Sequence, residues 1–264
     1  MRKRNHFAAC LPFAILVIST MLLMTKPVEA GPPFFTDDPE PVPFRHIELY
    51  GFTTIDHASD GTTGLGPATE FNVGAAPNLQ LHIIVPGAFN VPDIGPSAFG
   101  LGDTELGVKY RFVQETKSRP QIGTFPMLEL ATGSPSKGLG NGTTWARLPV
   151  WLQKSSGPWT TYGGAGYTIN NAPGSRSYPF AGWLLQRDLN KKVTLGAELF
   201  GQGAVAVGAE KSIFFNAGGY YNFPYGLSLL FSGGHTVAGE GHTVGYLGLY
   251  WTWGPKRAAG GRQN

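Results

Sequence analysis

Gly102-Asp-Thr-Glu-Leu-Gly-Val-Lys-Tyr-Arg-Phe112 and its return partner, Gln121 to Thr132, decide how this chain reads. In the first run Leu106, Val108, Tyr110 and Phe112 share one parity, while Glu105, Gly107, Lys109 and Arg111 share the other. Successive side chains of a strand point to opposite faces, so one face is wholly apolar and the other small or charged. In the return run Ile122, Thr124, Pro126, Leu128 and Leu130 oppose Gln121, Gly123, Phe125, Met127 and Glu129. The polar stretch Gln114 to Pro120 joins the two runs. The pair predicts a β-hairpin whose apolar face needs a cover.

The same pattern recurs in runs at 46–55, 67–75, 79–88, 103–113, 121–132, 144–154, 159–169, 177–187, 193–202, 212–222, 226–236 and 243–253. Most are close to the nine to eleven residues that a tilted strand needs to cross a bilayer. Long connections are expected at His57–Pro67, Asn90–Leu101, Gly133–Thr143, Asn170–Ser177, Gly203–Lys211 and Thr236–His242. Tighter turns are expected at Pro77-Asn78, Glu115–Pro120, Ser155–Pro158, Asp188–Lys192 and Phe223–Gly226. Outer-membrane barrels alternate in this way, with long loops outward and short turns toward the periplasm. A soluble sandwich has no reason to sort its loops by parity. The reading is all-β: a single transmembrane antiparallel β-barrel of about twelve strands, an up-and-down meander over residues 46–253. Both mature termini are then periplasmic.

The flanks fit an exported chain. Arg2, Lys3 and Arg4 precede the apolar run Phe7 to Met24, and Val28-Glu29-Ala30 resembles a cleavage site before Gly31, so residues 1–30 read as a signal peptide. That leader holds four of the 20 Lys+Arg and one of the 17 Asp+Glu, leaving 16 of each sign in the mature chain. The balance is zero, which removes any charge-based case for nucleic acid. Cys10 is the sole cysteine and leaves with the leader, so neither disulfides nor thiolate metal sites hold the mature chain together. Residues 31–45 form a proline-rich periplasmic arm, and the sequence leaves open whether it tucks into the barrel or lies free. Residues 254–264 are a C-terminal tail.

Face chemistry assigns most strands. Phe71/Val73, Leu79/Leu81/Ile83/Val85, Leu148/Val150/Leu152, Val193/Leu195/Leu199, Leu227/Leu229/Phe231 and Leu247/Leu249/Trp251/Trp253 are expected to face lipid. Glu48, Asn72, Gln80, Gln153, Asn216 and Ser228 are expected to face inward. With them go the lumen-lining candidates Glu70, His82, Glu105, Lys109, Arg111, Glu129, Arg147 and Glu198. Arg or Lys on the lipid face costs about 2–4 kcal/mol at mid-depth, so Lys109, Arg111 and Arg147 must point inward in a barrel. Runs 159–169 and 177–187 do not choose a face. Aromatics near strand ends, among them Trp145, Trp159, Trp183, Tyr221, Tyr225, Trp251 and Trp253, fit interfacial girdles, with Trp151 the inward exception. The glycines of Tyr162-Gly-Gly-Ala-Gly-Tyr167 and Ala217-Gly-Gly-Tyr220 would give room at crowded interior positions.

Several of these segments carry a family likeness. Phe35-Thr-Asp-Asp-Pro-Glu-Pro-Val42, Asn72 to His82, Gly102 to Phe112, Leu148-Pro-Val-Trp-Leu-Gln-Lys154, Gly182-Trp-Leu-Leu-Gln-Arg187 and Thr194 to Phe200 resemble the "MetA-pathway of phenol degradation" family. The resemblance spans essentially the whole mature chain. It implies a bacterial outer-membrane β-barrel of transporter-like character and brings no catalytic residues. Gly248, Trp251 and Trp253 also look like the C-terminal assembly signal of outer-membrane proteins, which would engage the barrel-assembly machinery; the tail Gly254–Asn264 departs from that pattern.

The expected function is passive passage of small molecules: a mixed-sign wall selects weakly by charge, which favours neutral or weakly polar solutes, or hydrophobic ones met by Phe125, Met127 and Trp151, while the family label alone suggests aromatic compounds. The expected partners are outer-membrane lipid and a small solute, with no enzyme activity, cofactor, metal or nucleic acid. One alternative is a non-conducting structural or surface-interaction barrel, because a mixed-sign wall can also fill a narrow lumen. A second is a lipid hydrolase using His57 and Ser59, spaced much as in twelve-stranded outer-membrane phospholipases. His235, Glu240 and His242 are permissive for metal without completing a ligand set, and Gly133 to Gly140 lacks the phosphate-loop order.

Overall fold

The computed structural model describes residues 33–255. The expected leader, residues 1–30, and the tail beyond Pro255 lie outside the described residues. The strands are β1 (Ile47–Ala58), β2 (Gly61–Ala76), β3 (Leu79–Pro92), β4 (Ala98–Leu101), β5 (Thr104–Val113), β6 (Gln121–Thr124) and β7 (Met127–Leu130). They continue with β8 (Trp145–Ser156), β9 (Trp159–Ile169), β10 (Tyr178–Asp188), β11 (Val193–Gln202), β12 (Ser212–Asn222), β13 (Leu227–Ala238) and β14 (Thr243–Trp253). β4 and β5 both pair with β3 and together make one wall position. β6 and β7 make another, since both pair with β5 and β8. The break between them falls at Phe125-Pro126, where proline has no N–H to give the ladder. The Pro126 carbonyl still accepts the Val108 N–H at 3.1 Å and keeps the wall continuous.

The wall closes when β1 pairs antiparallel with β14, from Ile47↔Trp253 to His57↔Thr243. The result is a closed, twelve-stranded, up-and-down antiparallel barrel. No helix among the described residues is long and apolar enough to cross a membrane. The shared Ile47/Trp253 register puts both strand termini at one rim, here called the turn end; the opposite rim is the loop end.

Side-chain faces follow the parity of the sequence. Leu106, Val108, Tyr110 and Phe112 are 39–51 % exposed on the outside, whereas Gly107 and Lys109 between them are buried. An apolar exterior of this kind is stable only against hydrocarbon. Val108→Arg, in the middle of β5, is therefore expected to destabilise the folded barrel by about 2–4 kcal/mol. Phe112→Arg near the turn end should cost only about 0–1 kcal/mol. Urea titration of both variants in lipid vesicles measures the difference, and equal costs would remove the lipid from the account.

The loops depart from expectation. His57–Pro67 is no long loop, because β1 and β2 run on as a hairpin around a two-residue turn at Ser59-Asp60. Asn90–Leu101 shrinks to Asp93–Ser97, flanked by β3 and β4, and the last connection to residues 239–242. Loop length is thus not strictly sorted by parity. Gly- and Thr-rich segments that read as loops can still complete ladders when a neighbouring strand supplies partners. The turn at Pro77-Asn78 is as expected, with Asn78 left-handed at φ 65°, a conformation that asparagine tolerates.

The two unassigned runs resolve as well. β9 turns Thr160, Tyr162 and Thr168 inward, and β10 turns Phe180, Leu184 and Gln186 inward. Trp183 and Leu185 face out at 51 % and 49 % exposure. The inward face of these strands carries aromatic rings and uncharged polar groups rather than charges, so the alternation that marks the other strands is weak there.

Candidate functional site: a lumen filled by its own arm

The interior of the barrel is built in three zones. Toward the turn end Tyr50, Phe52, Ala68, Tyr220, Leu230 and Tyr250 form one apolar cluster on the β1–β2 and β12–β14 walls. Toward the loop end Phe125, Trp151, Phe180, Phe200, Phe214 and Val244 form a second, with Met127 against it. Between them runs a polar belt threaded by residues 33–44.

Inward glycines give the rings their places. A Cβ on Gly107 would lie 2.6 Å from the Phe125 ring, one on Gly164 2.8 Å from Trp151, and one on Gly182 2.8 Å from Phe200. On Gly166 it would overlap Phe180. Glycine therefore appears where a ring lies flat against the wall, as expected for Tyr162 to Tyr167.

The arm enters at the turn end and climbs. Gly74 and Arg45 tether its base, the Arg45 N–H donating to the Gly74 carbonyl at 2.9 Å. The Val42 N–H donates to Gln80 Oε1 at 2.9 Å. Glu40 accepts from Gln121 Nε2 at 3.2 Å and from Gln153 Nε2 at 3.4 Å, with Arg111 at 3.7 Å. Higher up, Lys109 Nζ holds both Asp37 at 3.0 Å and Asp38 at 3.3 Å and lies 4.8 Å over the Phe125 ring. The Glu198 carboxylate then accepts the N–H groups of Phe35 and Thr36, each at 2.8 Å, and Asn216 Nδ2 at 3.0 Å. Phe35 packs between Phe200 and Phe214, with ring centroids at 5.4 and 5.3 Å. Ser232 Oγ donates to the Pro33 carbonyl at 2.6 Å. Thr36 and Asp38 have no exposed surface. The proline content that denies these residues a ladder leaves their backbone groups free to bond inward side chains instead.

All eight lumen-lining candidates sit on the inward face. Lys109, Arg111 and Glu198 are the arm's anchors. Glu70, His82 and Glu105 form a separate relay on the wall. His82 Nε2 meets Glu105 at 2.7 Å, its Nδ1 meets Asn72 Oδ1 at 2.6 Å, and Asn72 Nδ2 donates to Glu70 at 2.7 Å. Arg147 stands apart from both groups, and Glu129 lies opposite Glu105 across the β5–β7 pair with its Oε2 unbonded. The partners missed from sequence were Asp37, Asp38 and Glu40. Their signal was present only as composition: three acids, Asp37, Asp38 and Glu40, on an arm that a barrel could admit beside its inward cations Lys109, Arg111 and Arg147.

The other candidates separate. His57 lies on the outward parity of β1 with Nδ1 2.9 Å from Thr62 Oγ1, so its bonded partner is Thr62 rather than Ser59. His242 pairs with Asp56 at 2.8 Å and His235 bonds the Thr236 carbonyl, and no group of three metal-ligating side chains assembles among the described residues. Gly133–Gly140 folds as a 3-10 turn over Pro135–Lys137, ended by left-handed Gly138.

A closed twelve-stranded wall, apolar outside and polar or aromatic inside, defines the class: a β-barrel of the bacterial outer-membrane type. Comparison with solved structures agrees. An outer membrane channel of the COG4313 group from Pseudomonas putida F1 superposes with a TM-score of 0.63 at 15% identity, over 85% of this chain and 99% of that one. The KdgM porin, solved in complex with disordered oligogalacturonate, gives a TM-score of 0.55 at 13% identity over 79% and 99%. The translocator domain of the autotransporter NalP from Neisseria meningitidis gives 0.53 at 12% identity over 78% and 88%. At these identities the likeness is one of fold. No family model and no curated protein matches the chain.

Proposed function

We propose that this chain is an outer-membrane pore for passive passage of small molecules, occluded at rest by its own residues 33–44. The observation that carries the reading is how the arm is held. It makes hydrogen bonds and ion pairs to side chains of the lumen wall and is not a strand of that wall, so it can leave without breaking the ladder. Two aromatic clusters above and below the polar belt favour solutes with apolar or aromatic bodies over sugars. Both strand termini share the rim opposite the longest connection, residues 131–144, which fits a periplasmic turn end with the arm entering from the periplasm. Lipid covers the outer face, and β14 offers Trp251 and Trp253 to the assembly machinery. No cofactor enters this reading.

A non-conducting structural barrel is the second reading, favoured by the filled lumen. Flux into liposomes containing the refolded protein separates the two, using phenol-sized arenes, sugars and amino acids as solutes. Pore activity predicts entry of arenes ahead of hexoses of similar mass. Leak no faster than in empty liposomes, for every solute, would favour the structural reading. The hydrolase alternative needs His57 to reach Ser59, whereas that ring is bonded to Thr62.

A further inference from the structure

Arg147 is the cation of the inward wall that the arm does not use. Lys109 and Arg111 meet acids of the arm, but Arg147 makes no hydrogen bond or ion pair to any described residue. Its guanidinium carbon lies 4.2 Å from the centroid of the Phe180 ring and 5.6 Å from that of Phe200. Its Nε is buried without a partner, while the residue as a whole remains partly exposed on the lumen side. Aromatic faces attract the charge but accept none of its five N–H groups as a carboxylate would. A guanidinium withdrawn from water and left unmatched is costly unless an acceptor completes it. Two further groups nearby are in the same state: Trp151 Nε1 and Glu129 Oε2 are buried without partners. Glu129 is diagonal to Arg147 across the β7–β8 pair and outside ion-pair distance.

We infer that the loop-end half of the lumen binds a small aromatic carboxylate, Arg147 taking the carboxylate and the half-exposed ring of Phe35, backed by the buried rings of Phe180 and Phe200, taking its body. The planar guanidinium fork matches a planar carboxylate with two parallel hydrogen bonds. Glu129, with Glu105 opposite it across the β5–β7 pair, makes the wall beside Arg147 acidic, which penalises a second negative charge and selects a monoanion over a phosphate ester. Phe35, at the tip of the arm, packs against Phe200 and so forms part of the same apolar surface. The assignment rests on the reading of the barrel as a solute pathway and gives that pathway a preferred solute class.

The test uses the complete barrel in detergent, with fluorine NMR of 4-fluorobenzoate and of its neutral analogue 4-fluorotoluene. The wild type is expected to bind the acid at least about tenfold more tightly than the neutral arene, as a charge-assisted bidentate pair allows. Arg147→Met should abolish that preference while still binding fluorotoluene. Arg147→Lys, which keeps the charge and loses the fork, should fall between them and carries the test if the methionine variant does not fold. Equal affinity of the wild type for both probes, binding of neither, or an unchanged preference in the variants would overturn the assignment. Ion conductance of the same preparations in planar bilayers is scored separately. Current with no acid preference sinks this site and leaves the pore standing, whereas absent current in every preparation sinks the pore whatever binds.

Discussion

Deleting residues 33–44 is expected to raise single-channel conductance several-fold over the intact protein, with no loss of barrel formation. The wall owes its closure to β1–β14 pairing and to ladders that include none of those residues. What the arm occupies is the centre of the lumen, where it covers Gln80, Gln121, Gln153, Lys109 and Glu198. Eight-stranded barrels are filled by their own side chains and sixteen-stranded ones conduct, so at twelve strands the contents of the lumen decide the outcome. Planar-bilayer recordings give the step size, and heat-modifiable migration on gels reports whether the barrel forms. Identical step sizes with and without the arm would mean that the remaining side chains close the lumen unaided.

Lys109→Met is expected to release the arm. The substitution removes the one cation that holds both Asp37 and Asp38, and leaves two carboxylates in a space where Asp38 has no exposed surface. Breaking a buried ion pair by deleting one partner costs about 3–5 kcal/mol, because the remaining charge is uncompensated. The arm can avoid that cost by moving into water, since no ladder holds it. Three backbone donors to Glu198 and Gln80 oppose the release, at about 1.5–3 kcal/mol for each bond to charged Glu198 and about 1 kcal/mol for the one to neutral Gln80. A shift in population, rather than complete expulsion, is therefore the expected result. Residues 33–255 contain no cysteine, so Thr36→Cys supplies a single barrel reporter at a site with no exposed surface. Its thiol should label slowly in the parent background and many-fold faster with Lys109→Met. Equal labelling rates would show that the lysine is not the latch.

Much of the barrel was legible because its physical determinants are local. Alternation at Leu106 to Phe112 places apolar groups on one face and charges on the other. Lipid and lumen impose the same alternation on most strands, so the parity carries across β1, β3, β5, β8, β11 and β14. Where the lumen is itself apolar the alternation vanishes, and β9 and β10 could not be read. Phe180 and Leu184 inside look no different in sequence from Trp183 and Leu185 outside. Loop lengths were misjudged at His57–Pro67 for a related reason. The glycines and proline of Gly61 to Pro67 mask the strand preference of its threonines, and the ladder there exists because β3 lies alongside β2.

The sequence by itself determined the meander, the closed wall and which charges point inward, since those follow from period-two patterning under a lipid solvent. Only the tertiary structure decided what fills the lumen. Asp37, Asp38, Glu40 and their partners Lys109, Gln121, Gln153 and Arg111 are 71 to 113 positions apart, and pairing over such separations leaves no periodic trace. The same holds for Arg147. Its inward direction was readable from parity, but that it alone among the inward cations found no acid could be seen only once the barrel had closed around the arm.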